Sequence, residues 1–264
     1  MNPEPSFVPA DLDPLLVTSP TIRSGTTLLQ RLLCSSPRAL IYGEMCGQDL
    51  RMTLNLYSSR TLILTGNKEY YQRTMRQVLE GQVNDWILDL TPDVEEYLAA
   101  VGRSSFSWLG FCRDYAHKMG RPAWGIKLPG MTPALMQLIR QLLPASRLLY
   151  IHRDVVDCLK SAKAAAAVRS LEEVKAFCQS WVESLRYIRG LGADARLLVV
   201  SFADLLAEPG KTLERIAAFS GAVDMNQTVL EHKINAYKGY TPPADLTDAE
   251  REISAAGTAV LRVE

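Results

Sequence analysis

The chain has no excess of charge of either sign: 29 lysines and arginines balance 29 aspartates and glutamates over 264 residues. No global field therefore draws it to nucleic acid or to an anionic membrane surface, and any anion site must be local. Histidine is scarce, at 3 residues, and the 5 cysteines (Cys34, Cys46, Cys112, Cys158 and Cys178) include no C-x-x-C pair. Such scattered residues exclude the clustered ligands of a zinc site, so no metal is expected. An odd set of thiols in helix-like stretches is the pattern of free cysteines in a reducing compartment. No run reaches the roughly 20 apolar residues that span a bilayer. The opening "MNPEPSFVPADLDP" is proline-rich and acidic rather than basic and then apolar. These absences predict a cytoplasmic chain with no membrane span and no nucleic-acid partner.

What the chain does have is apolar material, 47% of its residues against 22% charged, enough for one large core. One domain over 1–264 is expected. "LLVTS" at 15–19, bounded by Pro14 and Pro20, suits a buried parallel strand. After it, Leu28, Leu29, Leu32 and Leu33 fall at helical spacing until Pro37. "RALIY" reads as a second strand ending at Gly43-Glu44, and "AWGIKL", "SRLLYIH" and "ARLLVVSF" as three more. Helical stretches separate the later strands. "TPALMQLIRQLL" has Thr132 as cap and Pro133 at its first position, and "DVVDCLKSAKAAAAVR" reads as a second helix. "SLEEVKAFCQSWVESLRYIRGLG" opens with the capping box Ser170 to Glu173 and closes on Gly190; "PGKTLERIAAFSG" follows the last strand. This alternation predicts an α/β fold in three layers, a parallel β-sheet flanked by helices. Residues from about 50 to 120 read as a helical insertion with Trp86 and Trp108, either plain core or the wall of an acceptor pocket. The terminal "TDAEREISAAGTAVL" carries a second capping box, Thr247 to Glu250, and an apolar side that packs internally or against a second copy in a homodimer.

The stretch "TSPTIRSGTTLLQ" (18–30) looks like a phosphate-binding loop without its lysine. Aligned on G-x-x-x-x-G-K-[ST], Pro20 replaces the first glycine, Gly25 is the second, Thr26 takes the lysine's place and Thr27 the hydroxyl's. Its only cation, Arg23, precedes the glycine, so a polyphosphate with its Mg²⁺ is poorly served. S-G-T-T before an amphipathic helix is also what an ordinary helix cap looks like. A second candidate is "RLLYIHRDVVDCLKS", where Arg153 ends a strand and Ser161 lies two helical turns beyond. Guanidinium and hydroxyl can converge there on one phosphate, or Arg153 simply pairs with Asp154 or Asp157.

"RSGTTLLQRLL" followed by the Pro and Gly-Glu of "SSPRALIYGE", then Trp124, Lys127 and Pro129, then the Arg153-to-Ser161 spacing, then "SFADLLAEPGKTLERIAAFSG" occur in the order found in sulfotransferases. Over roughly 15–221 the chain resembles that superfamily, nearer its tyrosylprotein-type "RSGTT" branch than its cytosolic "KSGTTW" branch. The resemblance implies a P-loop NTPase-like sulfotransferase fold and the donor 3′-phosphoadenosine 5′-phosphosulfate (PAPS). It implies that Arg23, Ser24, Gly25, Thr26 and Thr27 hold the 5′-phosphosulfate and that Arg153 and Ser161 hold the 3′-phosphate. Lys238 and Gly239 resemble a late basic-Gly element that contacts the nucleotide, or form an exposed turn.

Sulfuryl transfer is expected to be in line, with Arg23 and Lys127 stabilising the departing oxygen. Glu44 is the candidate general base for an acceptor hydroxyl on a small molecule or peptide. It is the single glutamate where the related branch has Gly-Glu-Glu; otherwise it is an exposed or salt-bridged strand-end residue. His117, His152 and His232 are the remaining candidate bases, and Trp181 either approaches the adenine or belongs to the core. Phe202-Ala203 departs from the family's Tyr-Glu. Two other readings compete: a P-loop kinase or other phosphotransferase, and a noncatalytic nucleotide-binding scaffold on the same fold.

Overall fold

Five short apolar runs become five parallel strands in the computed structural model, which describes residues 12–82, 90–231 and 245–261. They are β1 (Leu15–Ser19), β2 (Ala39–Tyr42), β3 (Ala123–Pro129), β4 (Arg147–His152) and β5 (Leu197–Ser201). Their order in the sheet is β2-β3-β1-β4-β5. All four pairings are parallel, with Val17 beside Lys127 on one side and beside Leu149 on the other. Each residue of β1 is buried, as its unbroken apolar run requires of a central strand.

Helices cover both faces. α1 (Thr26–Ser35), α8 (Phe202–Ala207) and α9 (Pro209–Ser220) pack on the face formed by Leu15, Val17, Ile41, Leu149 and Val200. The opposite face, with Leu16, Trp124, Ile126, Leu148 and Tyr150, meets α2 (Glu44–Gly66), α4 (Val94–Lys118), α5 (Pro133–Leu142), α6 (Val155–Ala164) and α7 (Leu171–Gly190). Consecutive residues of one strand supply opposite cores, the period of two that makes a sheet the middle layer. α3 (Lys68–Leu79) packs with α2 and α4, and α10 (Asp248–Leu261) lies against α6 and α7 of its own chain.

The chain leaves β1 toward β2, whereas the path from β4 leads on to β5. Their connections diverge, and in such sheets the crevice beyond the carboxyl ends at that divergence is where ligands bind.

Several expectations are adjusted. The helical segment begins at Glu44 rather than near 50, because α2 follows β2 after the single residue Gly43. The alanine run stops being helical at Ala164: Ala167 N–H bonds to Ala162 O and Ala166 N–H to Lys163 O, with Ala166 at φ 52°. This is a Schellman termination with alanine where glycine is usual. α8 is an additional short helix, N-capped by Ser201. Both capping boxes form, Ser170 with Glu173 and Thr247 with Glu250. Trp86 lies outside the described residues.

Candidate active site

The loop between β1 and α1 is shaped by hydroxyls turned inward. Ser19 Oγ and Ser24 Oγ both donate to the Thr21 carbonyl, at 2.7 and 2.9 Å. Arg23 and Gly25 adopt left-handed backbone angles, φ 70° and 105°. For arginine that costs about 1–2 kcal/mol, strain of the kind stored at ligand-binding turns. A Cβ on Gly25 would also lie 2.5 Å from Phe202 Cδ2, so sterics and conformation both demand glycine. α1 then begins with Gly25 as N-cap and no side-chain cap. Because the Ser24 hydroxyl is directed back to Thr21, the ordinary-cap alternative for S-G-T-T does not hold. The amides that open α1 are left without a side-chain acceptor, the arrangement that binds anions at helix N-termini.

Two side-chain clusters flank this loop. On the β4 side, Arg23 Nε donates to Ser161 Oγ at 3.0 Å, while Arg23 Nη2 is buried without a partner among the described residues. The loop cation is therefore turned toward α6 and joins the two stretches that the sequence suggests as separate phosphate sites. Cys158 lies beneath them, its Sγ 3.4 Å from Ser24 Oγ, and burial pushes its thiol up to about 11. It is a neutral packing group at physiological pH. Arg153, at the exit of β4, pairs with Asp157 at 3.1 Å and lies 4.9 Å above the Phe202 ring. Its carbonyl accepts from Trp181 Nε1 at 3.1 Å, and Trp181 is fully buried, so this indole is core and fixes the turn that carries Arg153.

On the β3 side, Lys127 is only 5% exposed. Its Nζ donates to Thr27 Oγ1 at 2.6 Å and pairs with Glu44 Oε1 at 2.7 Å. A strand neighbouring the loop thus delivers a lysine beside the loop's second threonine, although the loop itself has none. Glu44 opens α2 instead of ending β2, with Gly43 as N-cap. Its side chain is 53% exposed, so the ion pair has one buried member and one at the mouth of the site. Gly47 makes this possible: a Cβ there would stand 2.4 Å from the Lys127 carbonyl, so only glycine lets α2 approach β3 so closely.

The structure thus brings together Arg23 with Ser161, and Lys127 with Thr27 and Glu44, along the carboxyl edges of β1, β3 and β4. Arg153 joins through Phe202, whose ring packs over Gly25. Lys238, Gly239 and His232 lie outside the described residues. His117 is exposed in the last turn of α4, and His152 ends β4. Sequence reasoning notes Phe202 only as a departure from the family's Tyr-Glu, without its packing on Gly25, and passes over Gly47. Their only signals are an aromatic directly after a strand and a glycine inside a helical stretch. Among the described residues, no three His, Cys, Asp or Glu side chains gather to hold a metal ion, and no helix is long and apolar enough to cross a membrane.

Two cavities open along the same edge. One, of about 330 Å³, lies between Pro20, Thr21 and Ile22 of the loop and Val168 and Phe177. The other, of about 380 Å³, lies between α2 and α5. Only the second takes residues from the helical segment after β2.

Residues 14–224 match a family model described as "Sulfotransferase family". No curated protein sequence matches the chain. Similar solved structures include the sulfotransferase domain of the olefin synthase from Synechococcus PCC 7002. It is 16% identical, with 93% of this chain and 94% of that chain covered and a TM-score of 0.46. The sulfotransferase domain of the curacin biosynthetic pathway is 15% identical, with 93% and 97% covered and a TM-score of 0.48. Retinol dehydratase in complex with androsterone and the inactive cofactor PAP is 16% identical, with 95% and 80% covered and a TM-score of 0.46.

Proposed function

The chain belongs to the sulfotransferase family by its match over residues 14–224, and from that premise we propose that it moves the sulfuryl group of PAPS to a hydroxyl of a small-molecule or peptide acceptor. The observation that carries this reading is the chain of contacts Glu44–Lys127–Thr27, 2.7 and 2.6 Å, at the start of α1. It places a carboxylate, a buried ammonium and a set of open amides around one point.

The residues present fit the donor. Among the described residues Arg23 Nη2 is a buried donor with no protein partner, and the Nε of the same guanidinium donates to Ser161. We assign the 3′-phosphate to Arg153 and Ser161, the 5′-phosphosulfate to residues 23–27, and leave Lys238 and Gly239 as further nucleotide contacts. When bound, PAPS supplies the sulfuryl group, which carries less negative charge than a terminal phosphate. Amides, hydroxyls and two cations can then serve without a metal.

Lys127 has three N–H bonds. Two go to Thr27 and Glu44, and the third is left for the oxygen on which charge develops as the S–O bond breaks. Arg23 offers its free Nη2 to the same phosphosulfate. Glu44 uses Oε1 for Lys127, so Oε2 receives the acceptor's proton. Holding these groups in line is the chief contribution of the protein to such a transfer. The five thiols, none of them bridged, are in keeping with a cytoplasmic setting.

Calorimetry with adenosine 3′,5′-bisphosphate and, separately, with ATP and Mg²⁺ tests the donor. Binding of the bisphosphate with indifference to the triphosphate is expected, and the reverse result would replace sulfuryl with phosphoryl transfer. Release of label from PAPS to a hydroxylated acceptor then separates an enzyme from a noncatalytic scaffold.

A further inference from the structure

Helix α2 carries a cation that sulfuryl transfer does not use. Arg51 lies seven residues after Glu44, two turns along α2 and on the same side of it. Its Nη2 reaches the carbonyls of Pro129 and Gly130 at 3.4 and 3.3 Å, long contacts, while its Nε is buried with no partner among the described residues. Among the described residues it takes part in no ion pair. The arginine borders the cavity of about 380 Å³, whose other polar walls are Asn55, Ser58, Thr132, Gln137 and Gln141, with no carboxylate among its lining residues. The first turn of α5 also lines it, and the dipole there favours negative charge.

A buried guanidinium N–H without an acceptor is unfavourable unless something else supplies one. Amides and hydroxyls around a single positive charge are the donor set that recognises a carboxylate or a sulfate or phosphate ester. Thr132 lines this cavity and also the one beside the phosphate loop, so the two adjoin. The walls of the latter are mostly apolar, with Pro20, Ile22, Val168 and Phe177 among them.

We propose that the cavity between α2 and α5 binds an anionic group carried by the acceptor, whose apolar body lies along Ile22, Val168 and Phe177. The acceptor class is then a hydroxylated compound or peptide with a carboxylate or ester anion remote from the reacting hydroxyl. Naming the ligand as the acceptor rests on the sulfotransferase reading; the anion site itself does not.

Thermal melts in sodium sulfate, against sodium chloride of equal ionic strength and with adenosine 3′,5′-bisphosphate saturating, test the anion site. Saturable stabilisation of the wild type is expected, with the midpoint sulfate concentration raised at least tenfold in Arg51→Gln. Gln137→Glu should do the same by placing a negative charge in the cavity while leaving the contacts of Arg51 with Pro129 and Gly130 intact. It serves if Arg51→Gln fails to fold. Identical sulfate responses in wild type and Gln137→Glu overturn the site.

The acceptor arm uses labelled PAPS and pairs of hydroxylated acceptors differing only in carboxylate or amide. Gln137→Glu should raise KM at least tenfold for the acid and less than twofold for the amide. Equal KM changes would assign the cavity to a free anion and overturn the acceptor proposal. Loss of all bisphosphate binding, by contrast, would sink the sulfotransferase reading and leave the sulfate melts to decide the anion site.

Discussion

At the scale of single residues, the site depends on side chains whose alternatives are spoken for. Arg23 already bonds Ser161 through Nε, yet keeps a buried Nη2 with no partner among the described residues and a backbone in the left-handed region. If Nη2 acts like one oxyanion donor, Arg23→Ala costs about 2.7–4 kcal/mol in the transition state, a fall of 10² to 10³ in kcat. Turnover of labelled PAPS measures it, and an undiminished rate removes Arg23 from the mechanism. Glu44→Gln keeps the shape but not the base. Bisphosphate affinity by calorimetry should be retained while kcat falls by about 10² to 10⁴. Full turnover excludes Glu44. The glutamine oxygen can still accept from the buried Lys127, and water reaches the half-exposed side chain, so the melting temperature should fall only slightly. The identities of both residues were legible from the chain, since a loop with one cation beside its glycine and a lone Gly-Glu after a strand are local patterns. Their partners were not. Nothing in the sequence says that Arg23 turns to Ser161, 138 positions away, or that Lys127 rather than solvent faces Glu44.

At the scale of elements, the approach of α2 to β3 decides where Glu44 sits. Gly47 is the contact point, with the Lys127 carbonyl 2.4 Å from a would-be Cβ, whereas Gly43 has open space at its own. Gly47→Ala should push α2 outward and loosen the Glu44–Lys127 pair. Turnover is expected to fall at least tenfold with bisphosphate affinity unchanged, since 1 Å of misplacement is enough to cost about 10². Gly43→Ala serves as the tolerated control. Equal activities of the two variants would show that α2 is not positioned by this contact. The strands were readable because each is a short apolar run, β1 being closed by prolines. The start of α2 was not, and its physical reason is plain. Leu50, Leu54 and Tyr57 are buried, but Met45, Met52, Leu56, Leu62 and Ile63 are exposed, so its apolar residues do not form one stripe. Without that stripe, the sequence offers no boundary between β2 and the helix, and Glu44 reads as a strand end. The alanine run misleads in the opposite way: high helix propensity continues past Ala164, but the chain must turn there to reach Ser170 and start α7.

At the scale of the whole molecule, the returning C-terminal helix is tied to the sheet's helical layer by a carboxylate whose ionisation is linked to folding. Glu250 pairs with Lys163 of α6 at 2.5 Å and accepts from the Thr247 amide at 2.8 Å. The hydrogen bond from Lys163, first, and that from Thr247 hold its carboxyl below the ordinary value of 4.5. Asp194, which closes the turn before β5, is likewise held below 3.8, by the Arg196 amide first and then by Arg140. A carboxyl with a depressed folded value contributes stability that is present above its unfolded value and is lost as pH falls through the folded one. Both groups therefore stabilise the protein at neutral pH and withdraw that support on the acid side, beginning near pH 4.5 for Glu250. Glu250 is 8% exposed, so screening by water is limited. Removing the charged half of its hydrogen bonds by Glu250→Gln should cost about 1.5–3 kcal/mol at pH 7, a drop of several degrees in melting temperature for a chain of this size. The gap between wild type and variant should narrow steadily below pH 4.5 and close once the wild-type carboxyl is protonated. Melts followed by circular dichroism from pH 7 to pH 3 measure both quantities. A difference that persists undiminished at pH 3 would mean that shape, not the Lys163 pairing, is what Glu250 provides to the docking of α10.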